Sequence, residues 1–225
     1  SEKILENKKN NIIAIDRDKE VLTFTSKLEK KYKNRFKFYN IKFSQLDKIN
    51  LKNKNLKGVI FDLGYSLNQI KNSQKGLSFF DKGKLNMQMG FNDFSADDVV
   101  SNMDEISLSK VFKVFGDERH SKKIAREIIR KRKEKNLKIE DLVQIVDSVK
   151  KYQKIRIHNS TKVFQALRIF VNKEISELIN ALIKAFHLIP IGGVIAVVTF
   201  HSIEDKIVKF FFKHYSEQKN SSRYL

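Results

Sequence analysis

Three apolar runs constrain this chain more than any other feature. Asn11–Asp16 (NIIAID), Gly58–Leu63 (GVIFDL) and Gly193–Phe200 (GVIAVVTF) are continuous in apolar residues and too short for core helices. Each reads as a buried strand, and Arg35–Tyr39 alternates as a fourth. Helical spacing through Val21, Phe24, Leu28 and Tyr32 separates the first run from Arg35–Tyr39. Strands apolar on both faces and separated by helices imply an α/β fold with a mainly parallel sheet. Ligands of such sheets bind at the carboxyl ends of the strands, so Asp16 and Asp62 mark where chemistry should be sought.

Between about Phe91 and Tyr152 the pattern changes: strand-like runs stop and charged residues dominate. We read 91–157 as a helical insert, and 1–90 with 158–225 as one discontinuous core. Phe164, Leu167, Val171, Ile175, Leu178 and Leu182 carry the spacing of one long amphipathic helix, which Pro190 and Gly192-Gly193 end. Ile189–Phe200 is too short to span a bilayer and contains a turn, so no membrane partner is expected. The chain has no cysteine, which excludes disulfides, thiolate zinc sites and a cysteine nucleophile, and fits a reducing cytoplasm.

A net charge of +19, from 45 Lys and Arg against 26 Asp and Glu, is what a protein that meets a polyanion needs. Abundant Lys, Asn, Ile and Phe also follow from AT-rich coding, but that bias does not readily account for an excess of one sign. The charge concentrates in a basic helix over about Asp117–Lys135. Arg119, Lys122, Lys123, Arg126, Arg130 and Lys133 share one face at about 100° per residue, and Ile124, Ala125 and Ile128 lie opposite. Such a stripe is either a solvated face or a track for nucleic-acid phosphates, and the segregation of sign favours the second.

Three segments carry possible chemistry. Asp16, in AIDRD, can accept hydrogen bonds from ribose hydroxyls, although Asp16 or Asp18 can equally cap the following helix. FDLGYSLNQ (61–69) places Asp62, Ser66, Asn68 and Gln69 after a strand, a set of acceptors able to orient an amine; its plain alternative is a polar loop. In TFHSIEDKIVKFFF (199–212), Ser202 reads as a helix cap with Asp205 at its third position. His201 there either contacts a base or satisfies a strand-end backbone group.

Together these segments resemble the MraW-type family of small-subunit rRNA cytosine-N4 methyltransferases. The resemblance runs in order through AIDRD, FDLGYSLNQ, KGLSFFDKGKLNMQM, FGDERHSKKIAREII, HNSTKVFQALRIFVNKEISEL and GGVIAVVTFHSIEDKIVKFFF, nearly the whole chain. It implies a class I (Rossmann-like) methyltransferase core with an inserted helical domain, using S-adenosyl-L-methionine and no metal. It also implies that Asp16 meets the cofactor ribose, that Phe43 packs near the adenine, and that Asp62 and Gln69 line the cofactor site. Phe164, Gln165 and Arg168 would support the catalytic pocket. Asp62, Ser66 and Asn68 are the candidate catalytic residues. The substrate-facing candidates are the basic stripe with His158, Arg168 and His201, and the expected partner is small-subunit rRNA, within the assembled subunit.

The family's Gly-rich first-strand loop and its C-terminal NPRAR-type block have no counterpart here, so an N-terminal strand and a C-terminal part are expected outside this chain. The family's SSPQ turn is Ser66-Leu67-Asn68-Gln69, its LDMRM is Leu85-Asn86-Met87-Gln88-Met89, and its HPATR is His158-Asn159-Ser160-Thr161-Lys162. The changes at Asn86 and Gln88 bear on the substrate side and keep open a non-catalytic RNA-binding or assembly factor of the same fold. An enzyme of this fold acting on DNA or protein is a further alternative.

Overall fold

Residues 1–51, 56–150 and 157–216 are described in a computed structural model. Along the chain they form α1 (Glu2–Leu5), β1 (Ile12–Ile15), α2 (Leu22–Lys31), β2 (Phe36–Tyr39), β3 (Gly58–Asp62), α3 (Leu67–Lys71) and α4 (Ala96–Asn102). There follow α5 (Glu105–Gly116), α6 (Ser121–Lys131), α7 (Ile139–Lys150), α8 (Thr161–Asn172), α9 (Glu174–Leu188), β4 (Val194–Val198) and α10 (Ser202–Ser216). Short 3-10 turns lie at Lys19–Val21, Phe43–Lys48 and Ser73–Lys75. Two compact units result, Ser1–Lys42 with Tyr65–Glu174, and Phe43–Gly64 with Ile175–Leu225.

In the first unit β1 and β2 pair in parallel, Ile12 opposite Phe36 and Ile15 opposite Tyr39, with α2 as the crossover that parallel strands require. Leu28 of α2 packs with Leu5 and Phe36 in a small core. Arg35 secures the segment ahead of β1 by donating to the carbonyls of Leu5, Asn7 and Asn10.

The larger core of this unit is helical. Leu108 and Phe112 of α5, Ile124 and Ile128 of α6, Leu142 and Val146 of α7, and Val163 and Leu167 of α8 meet in it. The described residues from 91 to 150 contain helices and no strand; 151–156 lie outside the described residues, as does 217–225 at the far end of the expected core. The basic helix is shorter than its charge pattern suggests. Asp117 takes a left-handed φ of 48° and ends α5, so Arg119 falls in the connecting turn and Lys133 lies beyond α6.

The long helix expected across 164–182 is two helices. Lys173, at φ 53°, is the left-handed cap of α8, and α9 starts at the next residue. Amphipathic spacing continues across the break because both helices bury an apolar stripe, so periodicity alone does not reveal it.

In the second unit β3 and β4 pair in parallel, Gly58 opposite Val194 and Asp62 opposite Val198. The parallel pairing expected from the apolar runs is therefore present, as two two-stranded sheets rather than one. Full burial of these strands is not. Phe61 is buried, but the other face exposes Ile60 and Val194, each at 63%, and Val198 at 46%. A continuous apolar run does not by itself tell which of its faces is buried among the described residues. No helix among the described residues is long and apolar enough to cross a membrane.

Gly116 sits where α5 crosses the start of α8, and a Cβ there would lie 2.3 Å from the Lys162 carbonyl oxygen. Gly116→Ala should therefore destabilise the protein by about 1–3 kcal/mol, the usual cost of overpacking, measured by denaturant unfolding.

Candidate functional site

The carboxyl end of β1 divides three adjacent side chains among three tasks. Asp18 is buried and acts as the cap: Oδ1 accepts from the Glu20 amide at 3.0 Å, and Oδ2 accepts from Gln69 Nε2 at 2.6 Å and Lys75 Nζ at 2.7 Å. Arg17 turns the other way and donates to the carbonyls of Gly90 and Asn172. Asp16 accepts from the Asp18 amide at 2.8 Å through Oδ1, while its Oδ2 has no hydrogen-bond partner among the described residues. The capping alternative thus applies to Asp18, and Asp16 keeps a free acceptor.

Charge follows the same division. Burial is the largest influence on Asp18 and pushes its carboxyl up, but the Lys75 ammonium and the Glu20 and Gln69 amides together hold it below the usual carboxylate range. Asp16 moves the opposite way: desolvation raises it, and the neighbouring Asp18 charge adds to the rise.

Ser66 and Gln69 form a capping box at the start of α3. The Ser66 hydroxyl accepts from the Gln69 amide at 3.2 Å, and Gln69 Oε1 accepts from the Ser66 amide at 2.8 Å. Since Gln69 Nε2 reaches Asp18, the side-chain amide is engaged at both ends, and it ties this turn to the end of β1. Asn68 is exposed beside it.

The loop through Asn86 and Gln88 docks on the same strand end. Gly90 has φ 110°, and a Cβ there would lie 2.4 Å from the Arg17 carbonyl oxygen, so only glycine fits this approach. Asn172, 1% exposed, donates to the Met87 carbonyl and accepts from the Met89 amide. Asn86 Oδ1 accepts from the Gln88 amide at 3.2 Å, a bond an aspartate could also make.

In the second unit the Phe43 ring packs edge-on against Phe61, the residue before Asp62, with centroids 6.0 Å apart. Lys184 holds the Phe43 turn by donating to the Ser44 carbonyl at 2.7 Å and to Asp47 at 2.6 Å. His201, not Ser202, caps α10. Its Nδ1 accepts from the Glu204 amide at 3.4 Å, and Glu204 returns to the Phe200 amide at 2.9 Å. The cap thus lies one residue earlier than the Ser-x-x-Asp spacing suggests, because the imidazole accepts from the Glu204 amide while the Glu204 carboxylate takes the amide of Phe200. His201 Nε2 lies 3.2 Å from the Glu204 carboxylate.

Several sequence candidates turn out to be engaged in structure. Arg168 makes a two-pronged ion pair with Glu174 at 2.9 and 3.0 Å and lies 4.8 Å over the Tyr65 ring, so its charge is matched. Phe164 belongs to the helical core, and Gln165 donates to the Phe115 carbonyl. His158, by contrast, is exposed and stacked on Phe79, with ring centroids 4.3 Å apart and planes at 9°. Phe80, 79% exposed, joins this group edge-on. In sequence the Phe79-Phe80 pair is marked by nothing more than two adjacent aromatics in an otherwise polar loop, too weak a signal to distinguish it from core.

The family model described as MraW methylase matches residues 1–225. This chain belongs to the MraW methylase family. Curated relatives named ribosomal RNA small subunit methyltransferase H include one from Chelativorans sp. (strain BNC1), 39% identical over 96% of this chain and 63% of its own length. The relative from Wolbachia pipientis subsp. Culex pipiens (strain wPip) is 40% identical over 96% of this chain and 75% of its own length. That from Afipia carboxidovorans is 39% identical over 95% of this chain and 65% of its own length. The chain thus spans about two thirds or less of the length of most of these MraW-family relatives.

The depressed Asp18 carboxyl contributes stability that is present above the unfolded-state pKa and is lost as pH falls through the folded one. Asp18→Asn leaves the buried Lys75 ammonium with Glu20, at 3.3 Å, as its one remaining ion pair among the described residues. We expect a loss of about 3 kcal/mol near neutrality, with a flatter acid dependence than the parent, in denaturation at several pH values.

Proposed function

We propose that this protein transfers a methyl group from S-adenosyl-L-methionine to the exocyclic N4 amine of a cytosine in small-subunit ribosomal RNA. The observation that carries the reading is the end of β1, where Asp18 takes the capping and ion-pair duties and leaves Asp16 a free acceptor oxygen. That oxygen suits a ribose hydroxyl. Membership of the MraW methylase family and the names of the relatives support the rest.

On this reading the fold is a class I methyltransferase core, with 91–157 as a helical insert that meets RNA. Asp16 holds the ribose, and Phe43 packs near the adenine. Gln69 acts by fixing the 66–69 turn at the end of β1. Bound S-adenosylmethionine supplies an electrophilic sulfonium methyl. The cytosine N4 lone pair is delocalised into the ring, so acceptors must hold the amine hydrogens and aim the nitrogen. Asp62, Ser66 and Asn68 are those acceptors; Asp62 serves best, since the Ser66 hydroxyl already accepts from Gln69. The His158, Phe79 and Phe80 surface offers a π-face to an unpaired base. The substrate is the assembled small subunit in the cytoplasm, with the target base turned out of its stack.

Methyl transfer from labelled S-adenosylmethionine to small subunits, naked rRNA, DNA and protein tests this. Label on cytosine N4 of small-subunit rRNA is expected, and label on none of these sinks the reading. Asn86 and Gln88 favour a second reading, a non-catalytic factor; subunit binding without S-adenosylmethionine binding would establish it. Because the ribose needs an ionised acceptor, cofactor affinity should weaken as pH falls through the raised Asp16 pKa. Asp16→Asn should bind more weakly near neutrality and lose that pH step, measured by calorimetry.

A further inference from the structure

The basic stripe is not uniform. On α6 and just beyond it, Arg126 pairs with Glu105, Arg130 with Glu127 and Glu134, Lys131 with Glu134, and Lys135 with Asp141. The cations at the other end, Arg119, Lys122 and Lys123, have no ion pair among the described residues. Neither have Lys110 and Lys113, which α5 presents one turn apart. These five, with His120, line a cavity of about 470 Å³ between α5 and the start of α6.

No carboxylate lines that cavity. The two acids of the connecting turn are engaged elsewhere: buried Glu118 accepts from Lys150 at 2.6 Å, and Asp117 lies 3.7 Å from Lys162. The start of α6 adds backbone donors to these cations. It has no side-chain cap and no acid in its first turn, where Lys122 and Lys123 stand instead. α4, α5, α7 and α10 open with acids, whereas α2 and α8 share the uncapped, acid-free start of α6 but not its pair of adjacent lysines. Lysines at a helix N-terminus oppose the helix dipole and, here, repel one another. An arrangement that costs stability and gathers free cations around uncapped amides is suited to an anion.

We propose that this cavity is the dock for successive phosphates of the RNA backbone, with Lys110, Lys113, Arg119, Lys122 and Lys123 as its donors. This proposal rests on the RNA-substrate reading above. The ion-paired half of α6 is then a structural surface and not part of the dock. Lys110 and Lys113 carry no share of the family-like blocks and become RNA contacts only because α5 packs beside α6.

The test is the salt dependence of binding to small-subunit rRNA by the full protein. The variants are Lys110→Ala with Lys113→Ala, Lys122→Ala with Lys123→Ala, and, for comparison, Arg126→Ala with Arg130→Ala. Each cavity pair should reduce the slope of log K against log salt by roughly 0.7–0.9 per lost phosphate contact, and the comparison pair by much less. The Lys122/Lys123 variant should also unfold at a temperature no lower than the parent, which separates lost contacts from damaged structure. An unchanged slope in both cavity pairs, or an equal drop in the comparison pair, overturns the proposal. So does an acidic peptide that replaces RNA with the same dependence on these lysines, which would assign the cavity to a protein partner. Failure of the parent protein to bind any RNA would overturn the RNA-substrate reading itself.

Discussion

The buried Asp18 carboxylate is the interaction on which the arrangement around β1 depends. A charge taken out of water must be paired and hydrogen-bonded, and Asp18 meets that demand with Lys75, Gln69 and the Glu20 amide. Those partners come from three places in the chain: the turn after β1, the start of α3, and the 3-10 turn that follows it. One desolvated charge therefore sets where the 66–69 turn sits relative to the strand end. It also relieves Asp16 of capping duty, which is what makes Asp16 available to a ligand.

A second fixed point lies on the opposite side of the same turn. Arg17 and Asn172 between them engage the carbonyls and amides of the 87–91 loop, and Gly90 lets that loop approach the Arg17 backbone without a side chain between them. Asn172 is also the last residue of α8, so the end of a core helix and the loop are held by one side-chain amide. The left-handed Lys173 that follows turns the chain out of α8. The Asn86 side chain helps hold this loop, accepting from the Gln88 amide and donating to the Gln74 carbonyl, so the departure at 86 bears on the loop's path as well as on what it presents.

Charge in this protein divides by partner rather than by count. Lys75, Lys150 and Arg168 are matched within the fold, and their removal would act on stability first. Most of the excess positive charge lies on the surface, where only part of it is paired. The difference between a solvated basic face and a binding surface is then the position of the acids, which populate the far half of α6 and are absent from its start.

Periodicity and residue type were enough to locate β1 to β4 within a residue or two, the α2 crossover, the apolar face of α6, and Asp16 and Asp62 at strand ends. These are local properties: an apolar run or a 3.6-residue stripe is visible wherever it folds. The collinear motifs were enough to identify the family. Tertiary structure decided what depends on partners distant in sequence. It broke the 164–182 stripe at Lys173, moved the α10 cap to His201, committed Arg168 to Glu174, and gave Asp18 rather than Asp16 the buried ion pair. It also left one face of β3 and β4 exposed and set Lys110 and Lys113 beside Lys122. A sequence displays what each residue can do, but the free or engaged state of a side chain depends on which distant groups packing brings within hydrogen-bond reach.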